Sequence, residues 1–94
     1  MILMRTRLKI VFKGKVQGVF FRANTKRFAD RHGVVGWVRN TESGDVEALF
    51  EGEEDDVKAV IHDCQSSQPY AKVEKTEMSV EEPVGEFKDF RIRH

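Results

Sequence analysis

The segment GKVQGVFFR, at residues 14–22, places two glycines and an arginine at the start of a predicted helix. Gly14 and Gly18 lack the Cβ atom that blocks close approach to the backbone, and glycine also adopts the positive φ angles of a concave loop. The helix start brings unpaired N–H groups and the positive end of the helix dipole to the same place. Arg22 adds a planar fork of donors that fits two phosphoryl oxygens. The segment therefore predicts an anion site, although an ordinary turn followed by a solvated arginine would produce the same pattern.

Cofactors and metals have no support in the sequence. The loop lacks the Gly-Lys-Ser/Thr of a Walker A motif and the three glycines of the dinucleotide fingerprint. Cys64 is the single cysteine, so no internal disulfide can form and no zinc-site spacing with histidine arises. We expect no cofactor, no metal, a buried Cys64 thiol and a reducing, cytoplasmic environment. The start MILMRTR has no long apolar stretch, which argues against secretion and membrane insertion.

None of the three histidines is predicted to act as a general base. His32 lies ten residues after Arg22 on the same predicted helix, about 15 Å along its axis, so the two cannot share one phosphoryl group. His62 belongs to an acidic helix and is expected at the surface. His94 is the last residue of the sequence, and no pattern in the sequence assigns it a role.

The charges are divided unevenly along the 94 residues. The net charge is zero, but residues 1–40 hold 10 Lys+Arg against 1 acid and residues 41–94 hold 6 against 15, which gives +9 and −9. Such asymmetry can mark an anion or nucleic-acid site in the basic half. The alternative, which we favour, is that the halves interleave in the fold and neutralise each other. The length itself fits one domain spanning residues 1–94.

Hydrophobic periodicity predicts the elements that position the loop. RLKIVFK alternates as a half-buried strand that ends near Lys13, and the apolar spacing from Phe21 onward predicts a helix that Gly33 caps. VVGWVRN and VEALFEG predict a hairpin around TESGD, where Gly44 suits a positive φ.

The second half continues the same alternation of strands and helices. The acids of EEDD favour a helix N-terminus, and the helix is expected to run to about Ser67. A strand over residues 71–80 follows, with a bulge between Val73 and Met78, then an EEPVGE loop and a closing strand KDFRIR. The order β-α-β-β-α-β plus a terminal strand predicts an α+β, ferredoxin-like (split βαβ) sandwich, with two helices on one face of an antiparallel sheet.

Two motifs together resemble a known family. GKVQGVFFR followed by GWVRNTESGDVEALFEG is similar to the acylphosphatases, in which Gly-x-Val-Gln-Gly-Val-x-Phe-Arg precedes Gly-Trp-Val-x-Asn, and the resemblance covers essentially the whole domain. It implies that the Arg22 guanidinium binds phosphoryl oxygens and that Asn40 positions a water molecule. It also implies a phosphate cradle formed by the backbone amides of Val16, Gln17, Gly18, Val19, Phe20, Phe21 and Arg22.

The resemblance implies an acylphosphatase, a hydrolase that converts a small acyl phosphate into a carboxylate and inorganic phosphate. Neither Arg22 nor Asn40 can act as a base, because a guanidinium keeps its proton and an amide does not titrate. We therefore expect direct attack of a positioned water on phosphorus, without a phosphoenzyme or a metal, in a monomer that binds neither nucleic acid nor membranes. An RNA-recognition module is disfavoured because VEALFEG carries acids where that class needs alternating aromatics. A silent domain of the same fold is disfavoured because it would not need both Arg22 and Asn40.

Three residues near these motifs have open roles. Phe20 is expected to pack, with a place at the rim of the site as the alternative. Trp37 is expected to pack in the core or the hairpin. Thr41 either supports Asn40 or satisfies the local backbone.

Overall fold

The computed structural model describes residues 4–94 and consists of one five-stranded sheet and two helices. No helix among these residues has both the length and the apolar character needed to cross a membrane. The element order is the predicted one, and the bounds are β1 Arg5–Lys15, α1 Phe21–His32, β2 Val35–Asn40, β3 Val46–Glu53, α2 Glu54–Ser66, β4 Lys72–Glu81 and β5 Phe90–Arg93.

The sheet has the strand order β4-β1-β3-β2-β5, which gives the ferredoxin-like arrangement. The first four strands pair antiparallel, as predicted, but β5 pairs parallel to β2, so the sheet is mixed. The reason is that β4 ends at the same end of the sheet where β2 begins. The chain crosses along that end, and β5 then runs in the direction of β2.

This topology brings four chain segments to one end of the sheet. β1, β2 and β5 all terminate there, and α1 begins there after the loop of residues 16–20. The motif arginine, the motif asparagine and the last residue of the chain therefore meet, although they are far apart in sequence.

A single apolar core beneath this end fixes the elements. The rings of Phe12 on β1 and Phe21 on α1 are 5.1 Å apart and almost fully buried, and those of Phe50 and Phe90 stack at 5.5 Å. Burying one such ring stabilises the fold by about 1.5–3 kcal/mol. The first residue of α1 is therefore anchored directly below the loop.

Strand β1 extends to Lys15 rather than ending near Lys13, and it carries the first glycine of the motif inside the sheet. The register with β4 shifts between Lys13 and Gly14, which leaves Glu74 as the extra residue of the predicted bulge. Gly14 has φ 129°, and a Cβ there would collide with the Lys72 carbonyl oxygen and lie 2.9 Å from the Glu74 nitrogen. Gly14 therefore permits close strand pairing, and the hypothesis that it forms part of an anion cradle is wrong.

The opposite charges of the two halves interleave as expected. The basic strand β1 lies between β3 and β4, which both belong to the acidic half. The resulting ion pairs include Arg7–Glu81 at 3.1 Å, Lys13–Asp45 at 3.2 Å and Lys9–Glu47 at 3.6 Å.

The face of the sheet opposite the helices is crossed by the segment that links β4 to β5. The buried Glu51 carboxylate accepts hydrogen bonds from the Val84 and Gly85 N–H groups at 3.2 and 3.1 Å, which holds this loop. Trp37 lies on the same outer face, with the Arg93 guanidinium 4.9 Å from the ring centroid. Of the two predicted places for Trp37, the core is wrong, because strand alternation gives the inward positions to its neighbours Gly36 and Val38. Trp37 instead lies opposite Leu49 in the β2–β3 hairpin, which was the other alternative.

Candidate active site

A cavity of about 410 Å³ opens where β1, β2 and β5 end and α1 begins. Its wall combines the loop, the first turn of α1 and the ends of β2 and β5. The lining residues are Val16, Gly18, Phe20, Phe21, Arg22, Ala23, Asn40, Ile92 and His94.

The loop between β1 and α1 curls through two left-handed residues. Gly18 has φ 72° and Phe20, the N-cap of α1, has φ 64°. A Cβ on Gly18 would meet nothing within 4 Å, so the backbone angle, not the available space, favours glycine there. Phe20 is the one non-glycine residue with positive φ among residues 4–94, a conformation that costs of order 1–3 kcal/mol and clusters at functional sites.

Backbone donors are left free in this loop. The N–H groups of residues 17–20 pair with no backbone carbonyl of the described residues 4–94. The first-turn N–H groups of a helix have no acceptor within the helix, and the first to bond is that of Asn24, which donates to the Phe20 carbonyl at 3.0 Å. Phe20 caps the helix with no side-chain hydrogen bond. Unpaired donors and the positive end of the helix dipole thus lie at one wall of the cavity.

Two buried side chains attach the loop to the core. Val16 is 1% exposed and Val19 is 8% exposed. Phe20 lies between the buried residues Val19 and Phe21, but its own side chain is 71% exposed and lines the cavity. The expectation that Phe20 packs is therefore wrong, and the alternative of a place at the rim is correct, because its left-handed backbone turns the ring outward.

The Gln17 side chain ties the loop to the β2–β3 turn, a role that the sequence did not reveal. Its Nε2 donates to the Thr41 carbonyl at 2.9 Å and to the Asp45 carbonyl at 2.8 Å. The Thr41 hydroxyl contacts Ser43 and Asp45 within that turn, so Thr41 satisfies the local backbone as one alternative proposed. The loop and the strand end carrying Asn40 are consequently held at a fixed separation.

Arg22 lies in the first turn of α1, as predicted, and is half-buried at the cavity. Its Nη1 donates to the Arg93 carbonyl oxygen at 3.3 Å and lies 3.3 Å from His94 Nδ1. No carboxylate of the described residues forms an ion pair with it, in contrast to the paired cations of β1. Its Nε and Nη2 atoms, which form one planar fork, make no hydrogen bond within residues 4–94.

Asn40 is the last residue of β2 and lines the same cavity. Its Oδ1 is buried and is the one buried side-chain nitrogen or oxygen of the described chain without a hydrogen-bond partner. Such an acceptor costs about 1–3 kcal/mol, and buried polar groups in folded proteins are otherwise almost always paired. The Asn40 Oδ1 atom is therefore a buried acceptor for which residues 4–94 supply no donor.

The other candidate groups lie where the sequence placed them. The Cys64 thiol is buried 3.4 Å from the Thr25 hydroxyl, and burial raises its pKa to about 12, so it is not a nucleophile. His62 is exposed on α2, and His32 lies near Asp63 at the far end of α1. Within residues 4–94, no cluster of three or more His, Cys, Asp or Glu side chains could hold a metal. His94 at the cavity is the residue that the sequence did not reveal, since no local pattern links it to Arg22, which lies 72 positions earlier.

Comparison with known proteins agrees with this architecture. The family profile described as Acylphosphatase matches residues 8–92. An acylphosphatase of Syntrophus aciditrophicus (strain SB) is 49% identical over 89 residues, covering 95% of this chain and 93% of the relative. One from Pyrobaculum islandicum (strain DSM 4184 / JCM 9189 / GEO3) is 52% identical over 87 residues, covering 92% of each. The crystal structure of acylphosphatase from Bacillus subtilis matches with a TM-score of 0.90 at 30% identity, covering 97% of this chain and 100% of that one. By sequence along most of its length and by fold, this chain belongs to the acylphosphatase family, as its two motifs indicated.

Proposed function

We propose that this chain hydrolyses the carboxyl-phosphate bond of small acyl phosphates, with Arg22 and Asn40 as the residues that act on the substrate. The observation that carries the proposal is that Arg22 and Asn40 line one cavity and that the buried Oδ1 atom of Asn40 has no hydrogen-bond partner among the described residues. Membership of a family of acylphosphatases supports the reaction type. The same proposal assigns the activity to one domain of residues 1–94 acting as a monomer, and the single reduced cysteine fits a cytoplasmic enzyme.

The phosphoryl group binds to the backbone N–H groups of residues 16–22 and to the Arg22 guanidinium. The left-handed turns at Gly18 and Phe20 favour a concave row of donors of the kind that binds tetrahedral anions. The planar fork of Arg22 formed by Nε and Nη2 is free for two phosphoryl oxygens, because its present contacts use Nη1 only. Donors fixed around the equatorial oxygens supply much of the rate in phosphoryl transfer.

The attacking water donates one hydrogen to Asn40 Oδ1, which orients a lone pair toward phosphorus. The P–O bond to the acyl group breaks as the new P–O bond forms, and the electron pair leaves on the carboxylate. An oxygen of the substrate's own phosphate accepts the water's proton. A carboxylate is a good leaving group, which lessens the need for a strong acid or a metal.

Phosphate release from acetyl phosphate, measured with and without a chelator, tests this function. We expect release to require enzyme, to persist with the chelator and to exceed by far the release from an ordinary phosphate monoester. Loss of release in Arg22→Gln would tie the activity to the cavity. Absence of release from any acyl phosphate, or equal release in the folded Arg22→Gln variant, would contradict the proposal.

A further inference from the structure

We propose that the acyl group of the substrate binds in a second groove, next to the phosphoryl cavity, and that this groove favours flat acyl groups with a negative charge at their far end. The inference rests on the proposed function, because it assumes that the phosphoryl end of the substrate lies at Arg22. The groove has a volume of about 340 Å³ and lies between α1 and the link from α2 to β4. Phe20 lines both the groove and the cavity. An acyl group that leaves the cavity across this ring therefore enters the groove.

Two exposed aromatic rings flank the groove. Tyr70 is 66% exposed, and Phe20 and Tyr70 are the two aromatic rings among the strongly exposed large apolar side chains of residues 4–94. Phe28, which is buried, and Pro69 complete the apolar lining. Aromatic rings bind other flat apolar groups by offset stacking or edge-to-face contact. The groove is therefore suited to a planar acyl group such as a benzoyl group.

Arg27 supplies the one charged side chain of the described residues that lines the groove. Its Nη1 donates to Asn24 Oδ1 at 3.4 Å, which is longer than a normal N–H···O bond, and no carboxylate within residues 4–94 forms an ion pair with it. Arg31, the next arginine on α1, instead packs over the Phe28 ring. Neither an acidic side chain of the described chain nor its last residue lines the groove. Arg27 is therefore available to an anionic group of the substrate.

The wall that carries Tyr70 is attached to α1 by a buried side chain. Gln68 is 7% exposed, and its Nε2 donates to the Thr25 hydroxyl of α1 at 3.5 Å. The Ala71 N–H donates to the Gln68 carbonyl at 3.2 Å and closes a turn around Pro69 and Tyr70. The two exposed rings, one on each side of the groove, are therefore in place before the substrate binds.

The length of the groove sets the size of the acyl group that reaches Arg27. Helix side chains point toward the helix N-terminus, and the hydrogen bond to Asn24 places the Arg27 guanidinium about one turn after Phe20. One turn rises about 5.4 Å, which is close to the length of a benzene ring with one substituent. The methyl group of acetyl phosphate is too short to pass Phe20, whereas a para-carboxylate on a benzoyl group extends to the guanidinium. Hydrolysis of acetyl phosphate should therefore be insensitive to the groove.

The substrate specificity of phosphate release tests this inference on the full chain. We measure kcat/KM for acetyl, benzoyl, para-carboxybenzoyl and the neutral para-carbamoylbenzoyl phosphate. Each variant is compared with the unaltered protein on the same substrate, so that differences in intrinsic reactivity cancel. Arg27→Gln should lower kcat/KM about threefold for the para-carboxybenzoyl substrate alone, because an exposed ion pair is weak. Arg31→Gln is the matched control: it removes the same charge from α1 outside the groove, and every substrate should keep its kcat/KM.

The aromatic contact is tested separately with Tyr70→Ala. This variant should lower kcat/KM about fivefold for the aromatic substrates and leave acetyl phosphate unchanged, because only the contact between rings is lost. The loss should appear in KM rather than in kcat, since the groove binds the substrate and the transition state equally. Unchanged hydrolysis of acetyl phosphate also shows that the variants at Arg27 and Tyr70 are folded.

The outcomes separate this inference from the proposed function. Suppose that acetyl phosphate is hydrolysed and that Arg22→Gln abolishes this activity. If Arg27→Gln then fails to distinguish the para-carboxybenzoyl substrate from the others, or Tyr70→Ala fails to distinguish the aromatic substrates from acetyl phosphate, the acyl groove is wrong and the phosphoryl site stands. If no acyl phosphate is hydrolysed, or Arg22→Gln keeps full activity, the proposed function fails and the acyl groove fails with it.

Discussion

Replacing Asn40 with alanine should lower turnover and leave the protein at least as stable as before. The side chain ends in a buried oxygen without a partner, so in the free enzyme it is a cost to folding. In the proposed reaction the same oxygen holds the attacking water. The cost to folding and the proposed contribution to turnover come from the same atom, because only a water molecule in the proposed reaction donates a hydrogen bond to it.

The expected changes in the free energy of unfolding and in kcat both follow from the loss of Asn40 Oδ1. A buried unsatisfied acceptor costs about 1–3 kcal/mol, and truncation to alanine removes it at the loss of roughly 0.8 kcal/mol per buried methylene-sized group. The free energy of unfolding should therefore rise by about 1 kcal/mol. Removing one well-placed group at a site of this kind lowers kcat by about 10²–10³, or about 2.7–4 kcal/mol of transition-state stabilisation. KM should change little, because Arg22 and the loop still bind the phosphoryl group.

Urea denaturation and steady-state hydrolysis of acetyl phosphate measure both quantities. Asn24→Ala is the matched control for activity, because that asparagine lies one turn into α1 with its amide paired to Gln68 at 3.3 Å. Its kcat should stay within about twofold. Unchanged kcat in Asn40→Ala would refute the role of the amide oxygen, and a loss of stability above 1 kcal/mol would refute the interpretation that this oxygen is unsatisfied.

Four further substitutions test the scaffold around the site. Gly14→Ala should reduce the free energy of unfolding by about 3 kcal/mol or more, because the new Cβ meets the backbone of β4. Gly18→Ala should reduce it by only about 1–2 kcal/mol, because the new Cβ has space and only the left-handed backbone is strained. Urea denaturation of the two variants measures this difference. Gln17→Ala loses two hydrogen bonds worth about 0.5–1.5 kcal/mol each and should lower kcat as well, and an unchanged stability would contradict the bracing role. Because burial raises the pKa of Cys64 from 9.0 to about 12, the stability it contributes is present below pH 9 and is lost as the pH rises toward 12. Cys64→Ala should therefore show a flatter decline over that interval, and parallel curves would contradict the burial.

Much of the fold could be predicted from local patterns. The alternation in RLKIVFK predicts one buried side of β1, and Ile10 and Phe12 are buried there. The apolar spacing from Phe21 onward predicts one buried side of α1, and Phe21 and Phe28 are buried there. Gly33 caps α1 with φ 67°, as its position after the last apolar residue indicated. These features depend on residues close together in sequence, where periodicity carries the information.

The features that were missed depend on distant pairing. The parallel direction of β5, the outer-face position of Trp37 and the tight approach of Gly14 to β4 all follow from which strands become neighbours. Periodicity within one strand does not encode those neighbours. The site shows the same division: Arg22 and Asn40 could be named from their motifs, whereas the Gln17 side-chain contacts and the approach of His94 arise only when separate segments meet.

The central claim is that the protein binds the phosphoryl end of an acyl phosphate and directs water at phosphorus. Hydrolysis of acetyl phosphate in ¹⁸O-labelled water, followed by mass analysis of both products, tests it most directly. We expect the label in inorganic phosphate and none above background in acetate. Label in acetate would mean that water attacks the carbonyl carbon, and it would contradict the roles given to the loop, to Arg22 and to Asn40.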